Sequence, residues 1–333
     1  MYLVSCLIPI FNTEKFIERC ASSLFEQTYP KLEFIFVNDC TPDRSIEILQ
    51  NVITQYPERK DSVRIINHEK NRGLAAARNT ALEYSTGDFV CHVDSDDWID
   101  PQMIDSLVKK QIETSADIVS CDAVVHDISG EYIWEEPEYL SKDDMMKRIL
   151  QLTLDHVIWR RLIRRSLYTN NNIYAVEGFN IGEDHYTLPR LLYYADSYAK
   201  CSHGLYHYNC LSGQSYMRST QEAFNSTRFK SNIAAINILM SFFSKKSSEY
   251  WGLLNQIKAD YVYKYFFLVL KNNNRDAYNE LCGDWRTIDN NYKNLTKVVH
   301  PRFLSPRFYS LNRMRVIGRI IIKKVFGIKH YDL

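Results

Sequence analysis

Over its first 125 residues the chain alternates between two hydrophobic periods. Short β-branched or aromatic runs, LVSCLIPI (3–10), LEFIFVN (32–38), SVRIIN (62–67), DFVCHV (88–93) and DIVSCDAV (117–124), are separated by helical patterns over 14–27, 43–56, 73–85 and 101–115. Runs that are apolar from end to end belong to strands buried on both faces. Strands that alternate with helices lie parallel, so the pattern predicts a doubly wound, mostly parallel α/β sheet. Thr41-Pro42 and Asp100-Pro101 mark helix starts, a capping side chain followed by a ring whose fixed φ suits the first helical position.

From 126 to 180 the pattern loosens, although Ser141 followed by Asp144 predicts a capped helix over 142–152. A helix is expected over 183–195, and SYAKCSHGLYHYN reads as two short strands. Beyond residue 220 the period is helical, over 221–244, 249–271, 275–282 and 308–326. The expected organisation is an α/β domain over 1–218, divided into 1–125 and 126–218, and a helical region over 219–333.

A net charge of +1 argues against nucleic acid as a partner. The balance is uneven: from residue 301 onward eight Lys/Arg face one acid, Asp332, which leaves the rest of the chain net acidic. Eight cysteines form no CxxC pair, no signal pattern opens the chain, and no run reaches the roughly 18 apolar residues of a spanning helix. A cytoplasmic protein is expected, peripheral at most at the inner face of a membrane. The stretch 313–330, RMRVIGRIIIKKVFGIKH, sets an apolar face between basic residues. It suits either an anionic membrane surface or a terminal helix docked on the protein, and both readings stay open.

Carboxylates gather where a doubly wound sheet binds ligands, at the carboxyl ends of its strands. Asp39 ends the second strand, and VDSDD (93–97) ends the fourth with Asp94, Asp96 and Asp97. Acids that close repel one another unless a cation sits between them, and hard oxygen ligands suit Mg²⁺ or Mn²⁺. A solvated acidic turn that caps the next helix is the plainer alternative.

The residues VSCLIPIFNTEKFIERCASSLFEQTYPKLEFIFVNDCTPDRS followed by NHEKNRGLAAARNTALEYSTGDFVCHVDSDDWIDP resemble the family 2 inverting glycosyltransferases of the GT-A fold, over about residues 3–215. The resemblance implies a nucleotide-diphosphate-sugar donor, UDP-linked in view of Asp39, a divalent Mn²⁺ or Mg²⁺ ion, and inversion at the transferred carbon. It makes 1–218 a catalytic domain with a nucleotide-binding half, 1–125, and an acceptor-side half, 126–218. It places Pro9, Ile10 and Phe11 beside the nucleobase and Asp39 on uracil. Gly73 and Arg78 of NRGLAAARN fall at the nucleotide, Asp94 and Ser95 near the ribose, and Asp96 with Asp94 on the metal. Asp97 and His207 are secondary metal candidates.

An inverting transfer needs a carboxylate opposite the leaving diphosphate to take the acceptor's proton. The resemblance assigns this to Asp184 of GFNIGEDHY, with Glu183 orienting it or touching the acceptor, and expects a glycan or lipid-linked acceptor from envelope or surface polysaccharide synthesis. Acids in a first helical turn are also common for structural reasons. Arg161 stands where the family commonly has lysine, and Arg218 lies in a segment that could fold over the diphosphate. A dinucleotide-dependent dehydrogenase would need GxGxxG after the first strand, and IPIFNTEKF contains no glycine. The remaining rival is a non-catalytic nucleotide-sugar-binding scaffold descended from such enzymes.

Overall fold

The computed structural model describes residues 1–138, 141–151, 156–179, 182–212, 226–286, 312–313 and 316. They fall into two compact units, Met1–Gln221 and Glu222–Leu333. In the first, a nine-stranded sheet comprises β1 (Val4–Ile10), β2 (Leu32–Asn38), β3 (Val63–Asn67), β4 (Phe89–His92), β5 (Trp98–Ile99), β6 (Ile118–Asp127), β7 (Gly130–Trp134), β8 (Arg161–Arg164) and β9 (Tyr198–Asn209). The strand order is β3-β2-β1-β4-β8-β6-β9-β5, with β7 paired to β6.

Strands β3, β2, β1 and β4 are mutually parallel, as the apolar runs predict. Every residue of β1 is buried, and β2 and β4 flank it. The sheet then becomes mixed. Strand β8 runs antiparallel between β4 and β6, β6 is parallel to β9, and β5 is antiparallel to β9. The two short strands expected near 200 are one strand, β9, with a register break opposite Cys121–Ala123 of β6. That irregularity disturbs the alternation of side chains, which is why the stretch reads as two pieces.

Helices α1 (Ile17–Phe25), α2 (Ser45–Gln55), α3 (Leu74–Tyr84) and α4 (Met103–Thr114) connect the first strands. The buried Ala75, Ala76 and Ala77 let α3 lie close over β1 and β2. Farther along this unit follow α5 (Lys142–Leu150), α6 (Arg165–Thr169) and α7 (Asp184–Tyr194). The Ser141 cap forms as expected, its hydroxyl accepting from the Asp144 N–H.

The second unit holds α8 (Ser226–Phe243), α9 (Ser248–Lys271) and α10 (Arg275–Arg286) around its own core of Phe229, Val262, Phe266, Val269 and Tyr278. Among the described residues no helix is long and apolar enough to cross a membrane. Apart from Arg313 and Val316, the basic stretch 313–330 lies outside the described residues, as does Arg218.

Candidate active site

The carboxyl ends of β1, β2 and β4 meet at one edge of the sheet, and the predicted acids stand there. Asp39 follows β2 and is buried. Its Oδ1 accepts from the Arg72 N–H at 2.8 Å and faces His68 Nδ1 at 2.7 Å, while Oδ2 accepts from the Gly73 N–H at 2.7 Å. His68 in turn meets Thr80 Oγ1 through Nε2 at 2.9 Å. Asp39 therefore shapes the turn into α3, where Gly73 adopts φ +87°, a conformation glycine takes without steric cost. One acceptor site on Oδ2 remains unused by the contacts described, enough for one N–H of a base. The Asp39 N–H donates to the Ile10 carbonyl, which brings Pro9, Ile10 and the 41 % exposed ring of Phe11 to the same edge.

After β4 the chain makes a turn closed by the Asp97 N–H on the Asp94 carbonyl. Asp94 and Asp96 are partly exposed, whereas Ser95 and Asp97 are buried. Both Asp97 oxygens are turned inward. Oδ2 accepts from Tyr206 Oη at 2.7 Å and Oδ1 from the Asn209 N–H at 2.8 Å. Burial, and then the charges of Asp96 and Asp94, push the Asp97 carboxyl well above its ordinary range, with the two hydrogen bonds acting the other way. Asp97 holds the turn to β9, and of the three acids Asp94 and Asp96 are the partly exposed ones.

His207, the other secondary metal candidate, points elsewhere. Alternation along β9 sends Tyr206 to the acids and the next residue to the opposite face. There His207 stacks on Trp98 at 5.1 Å and bonds His126 at 3.0 Å.

Arg78 joins the two halves of the site. Its side chain is only 5 % exposed, Nη2 donates to Asp94 Oδ1 at 2.8 Å, and Nε stands 3.2 Å from Glu183 Oε1. The second contact is an ion pair with poor hydrogen-bond direction, since neither Nε nor Nη1 completes a hydrogen bond. Glu183 is buried at the entry to α7, and Asp184 is the first helical residue, partly exposed. Three acids thus lie near one guanidinium, and each shifts the others. Burial, then the charge of Asp184, pushes the Glu183 carboxyl up to about 8, with Arg78 opposing. Asp94 is raised by burial and by Asp184, again against Arg78. Although burial works against the guanidinium charge, Asp94, Glu183 and Asp184 raise Arg78 above its ordinary value.

Arg161 is not part of this constellation. It is buried and donates to Glu136 Oε1 at 2.7 Å, and Arg160 forms an ion pair with the other oxygen at 2.6 Å. Residues that the strand pattern did not single out complete the site's frame: His68, Tyr206 and Asn209. His68 directly follows the third strand, so the strand-end rule that found Asp39 points to it as well. Tyr206 and Asn209 carry no comparable signal, because their partners lie in the distant turn after β4.

The model of glycosyl transferase family 2 matches residues 5–171, half of the chain, and takes in Asp39, Gly73, Arg78 and the turn at Asp94–Asp97. The chain belongs to glycosyl transferase family 2. Among relatives of this family 2 protein, EpsJ of Bacillus subtilis (strain 168), an uncharacterized glycosyltransferase, is 34 % identical over 190 residues, which are 55 % of this chain and 54 % of EpsJ. TuaG of the same organism, a glycosyltransferase named for teichuronic acid biosynthesis, is 30 % identical over 160 residues, 44 % of this chain and 58 % of TuaG. The chain thus spans little more than half the length of these two relatives. Among solved structures, residues 1–349 of Staphylococcus aureus TarS in complex with UDP-GlcNAc superpose with a TM-score of 0.71 at 17 % identity, covering 99 % of this chain and 94 % of that one. At that identity the likeness establishes the fold, GT-A α/β with C-terminal helices.

Proposed function

We propose that this family 2 glycosyltransferase moves a sugar from a UDP-sugar to a hydroxyl of an envelope or surface glycan, with inversion. The carrying observation is the Arg78 bridge, which sets the donor-side Asp94 and the helix-start pair Glu183–Asp184 around one buried guanidinium. The names of the relatives support the substrate classes: TarS is solved with UDP-GlcNAc, and TuaG is named for a wall polysaccharide.

The residues fit a divalent cation. Asp94 spends Oδ1 on Arg78 and has no described partner on Oδ2, and Asp96 is partly exposed two residues later. Among the described residues no group of three or more His, Cys, Asp or Glu is placed to cage a metal. Mg²⁺ and Mn²⁺ bind through one or two carboxylates together with substrate phosphates, and Asp94 and Asp96 would supply the carboxylates. Such an ion would offset charge on the leaving diphosphate.

The chain's own residues do the rest. Asp39 accepts an N–H of the base, and the unbonded Nη1 of Arg78 is a buried donor for a ribose or phosphate oxygen. The acceptor oxygen forms the new bond to the sugar carbon as the bond from that carbon to the diphosphate breaks. Its proton passes to Asp184, which stands at the positive end of α7. Glu183, held by Arg78, keeps the start of α7 in register and does not compete for that proton.

A thermal-shift screen of UDP, GDP and dTDP with and without Mn²⁺ tests the donor class. A ligand that binds the folded state raises Tm by mass action. UDP should give the largest shift, and Mn²⁺ should enlarge it. A larger shift with GDP or dTDP would overturn the uridine assignment.

A further inference from the structure

The short segment before α7 is stitched to two helices in alternation. Tyr174 offers its carbonyl to Arg190 Nη2 at 2.7 Å, and the Val176 N–H bonds Tyr186 Oη at 3.0 Å, both partners lying on α7. Residues between them turn the other way. The side-chain amide of Asn79 on α3 donates to the Ala175 carbonyl and accepts from the Ala175 N–H, each at 2.8 Å. The exposed Glu177 bonds Arg72 at 2.6 Å. From Tyr174 to Val176 this period of two is that of an extended strand, Asn79 serves as the strand that would otherwise pair with Ala175, and Glu177 lies in the turn that follows.

The contacts to α7 stay within the acceptor half. Those from Asn79 and Arg72 cross to the donor half, because α3 begins at Leu74, directly after Gly73, and the N–H groups of Arg72 and Gly73 are held by Asp39. From the structure we infer that Asn79 is a positioning residue for the transfer, fixing the segment that leads to Glu183–Asp184 at a set distance from the donor cradle. The inference rests on the transferase reading above. Asn79 touches neither Asp184 nor Asp94; it acts by registering one half against the other. Arg78, the preceding residue on the same helix, makes the complementary contact farther along at Glu183.

Misplacing a reacting group by about 1 Å can cost about a hundredfold in rate. The test compares full-length wild type with Asn79→Ala, Asn79→Asp and Glu177→Gln. Three readouts are taken: UDP affinity by calorimetry with Mn²⁺, UDP release from saturating UDP-GlcNAc with Mn²⁺, and hydrogen exchange of 174–179. For Asn79→Ala we expect UDP affinity within about threefold of wild type, UDP release reduced by about a hundredfold, and faster exchange of the segment. Asn79→Asp keeps an acceptor for the Ala175 N–H and should fall between. Glu177→Gln, at an exposed position, should shift rate and exchange the same way by less, and the two milder variants carry the test if Asn79→Ala does not fold.

Release at the wild-type rate in Asn79→Ala, or UDP affinity falling in step with the rate, would overturn the inference. Wild type that neither binds UDP nor releases it would instead sink the transferase reading. Exchange then decides the clamp alone: faster exchange in Asn79→Ala upholds it, and unchanged exchange rejects it.

Discussion

Arg78 and Glu183 lie far apart in the chain, yet the guanidinium Nε rests 3.2 Å from the Glu183 carboxylate, with both side chains at most 5 % exposed. A buried ion pair is weak evidence for stability in itself, because desolvation offsets the attraction. Its value here is spatial: the same guanidinium also holds Asp94, so the turn after β4 and the start of α7 cannot drift apart without stranding a buried charge.

Removing Arg78 should therefore be costly. Arg78→Leu leaves Asp94 without its cation and Glu183 without its buried neighbour, and should lower stability by about 3–5 kcal/mol, read as a lower urea midpoint. Adding Glu183→Gln should recover part of the loss, because the pair is coupled. Additive losses in the double variant would show that the pair does not interact.

Stability should also depend on pH through Glu183. Its folded value, near 8, lies above its ordinary 4.5, so the folded state binds more protons than the unfolded one between those limits. Stability is then fully present below about pH 4.5 and declines toward pH 8, by up to about 1.4 kcal/mol per pH unit. Glu183→Gln should flatten that part of the profile. An unchanged slope in urea titrations from pH 5 to 8 would assign the dependence to other groups.

Asp184→Asn should lower transfer, followed as UDP release, by about 10²–10⁴-fold while UDP affinity measured by calorimetry stays within a few-fold. Full activity in this variant would move the base elsewhere.

Asp96 and Asp97 should separate cleanly. Asp96→Ala should abolish the enhancement of the UDP thermal shift by Mn²⁺ without a large change in the Tm of the free protein. Tyr206→Phe, which takes a donor from the buried Asp97, should lower stability by about 1–3 kcal/mol and keep the Mn²⁺ response. The same hydroxyl accepts from the Asp94 N–H at 3.2 Å, so loss of that response in Tyr206→Phe would show that the cation site depends on this tyrosine's hold on the turn.

Much of this was legible in the amino-acid sequence, and for one physical reason: strands β1 to β4, the helices between them and the acids at the strand ends are local patterns. An apolar run declares a doubly buried strand whatever lies beside it, and the residue after it must fall at the ligand-binding edge. That reasoning reaches Asp39, Asp94 and Asp96 without coordinates. It does not reach the order of the strands beyond β4, since β8 enters antiparallel between β4 and β6 through pairings that no local period encodes. Nor could neighbouring carboxylates be told apart. Asp96 and Asp97 are adjacent acids in the chain, but the arrival of Tyr206 and Asn209 from β9 buries one and leaves the other partly exposed. Glu183 and Asp184 differ for the same reason, one drawn onto Arg78 and the other left partly exposed at the helix start. Composition and spacing bring charges into a neighbourhood; long-range packing chooses which keeps its proton, which is neutralised, and which remains available for chemistry.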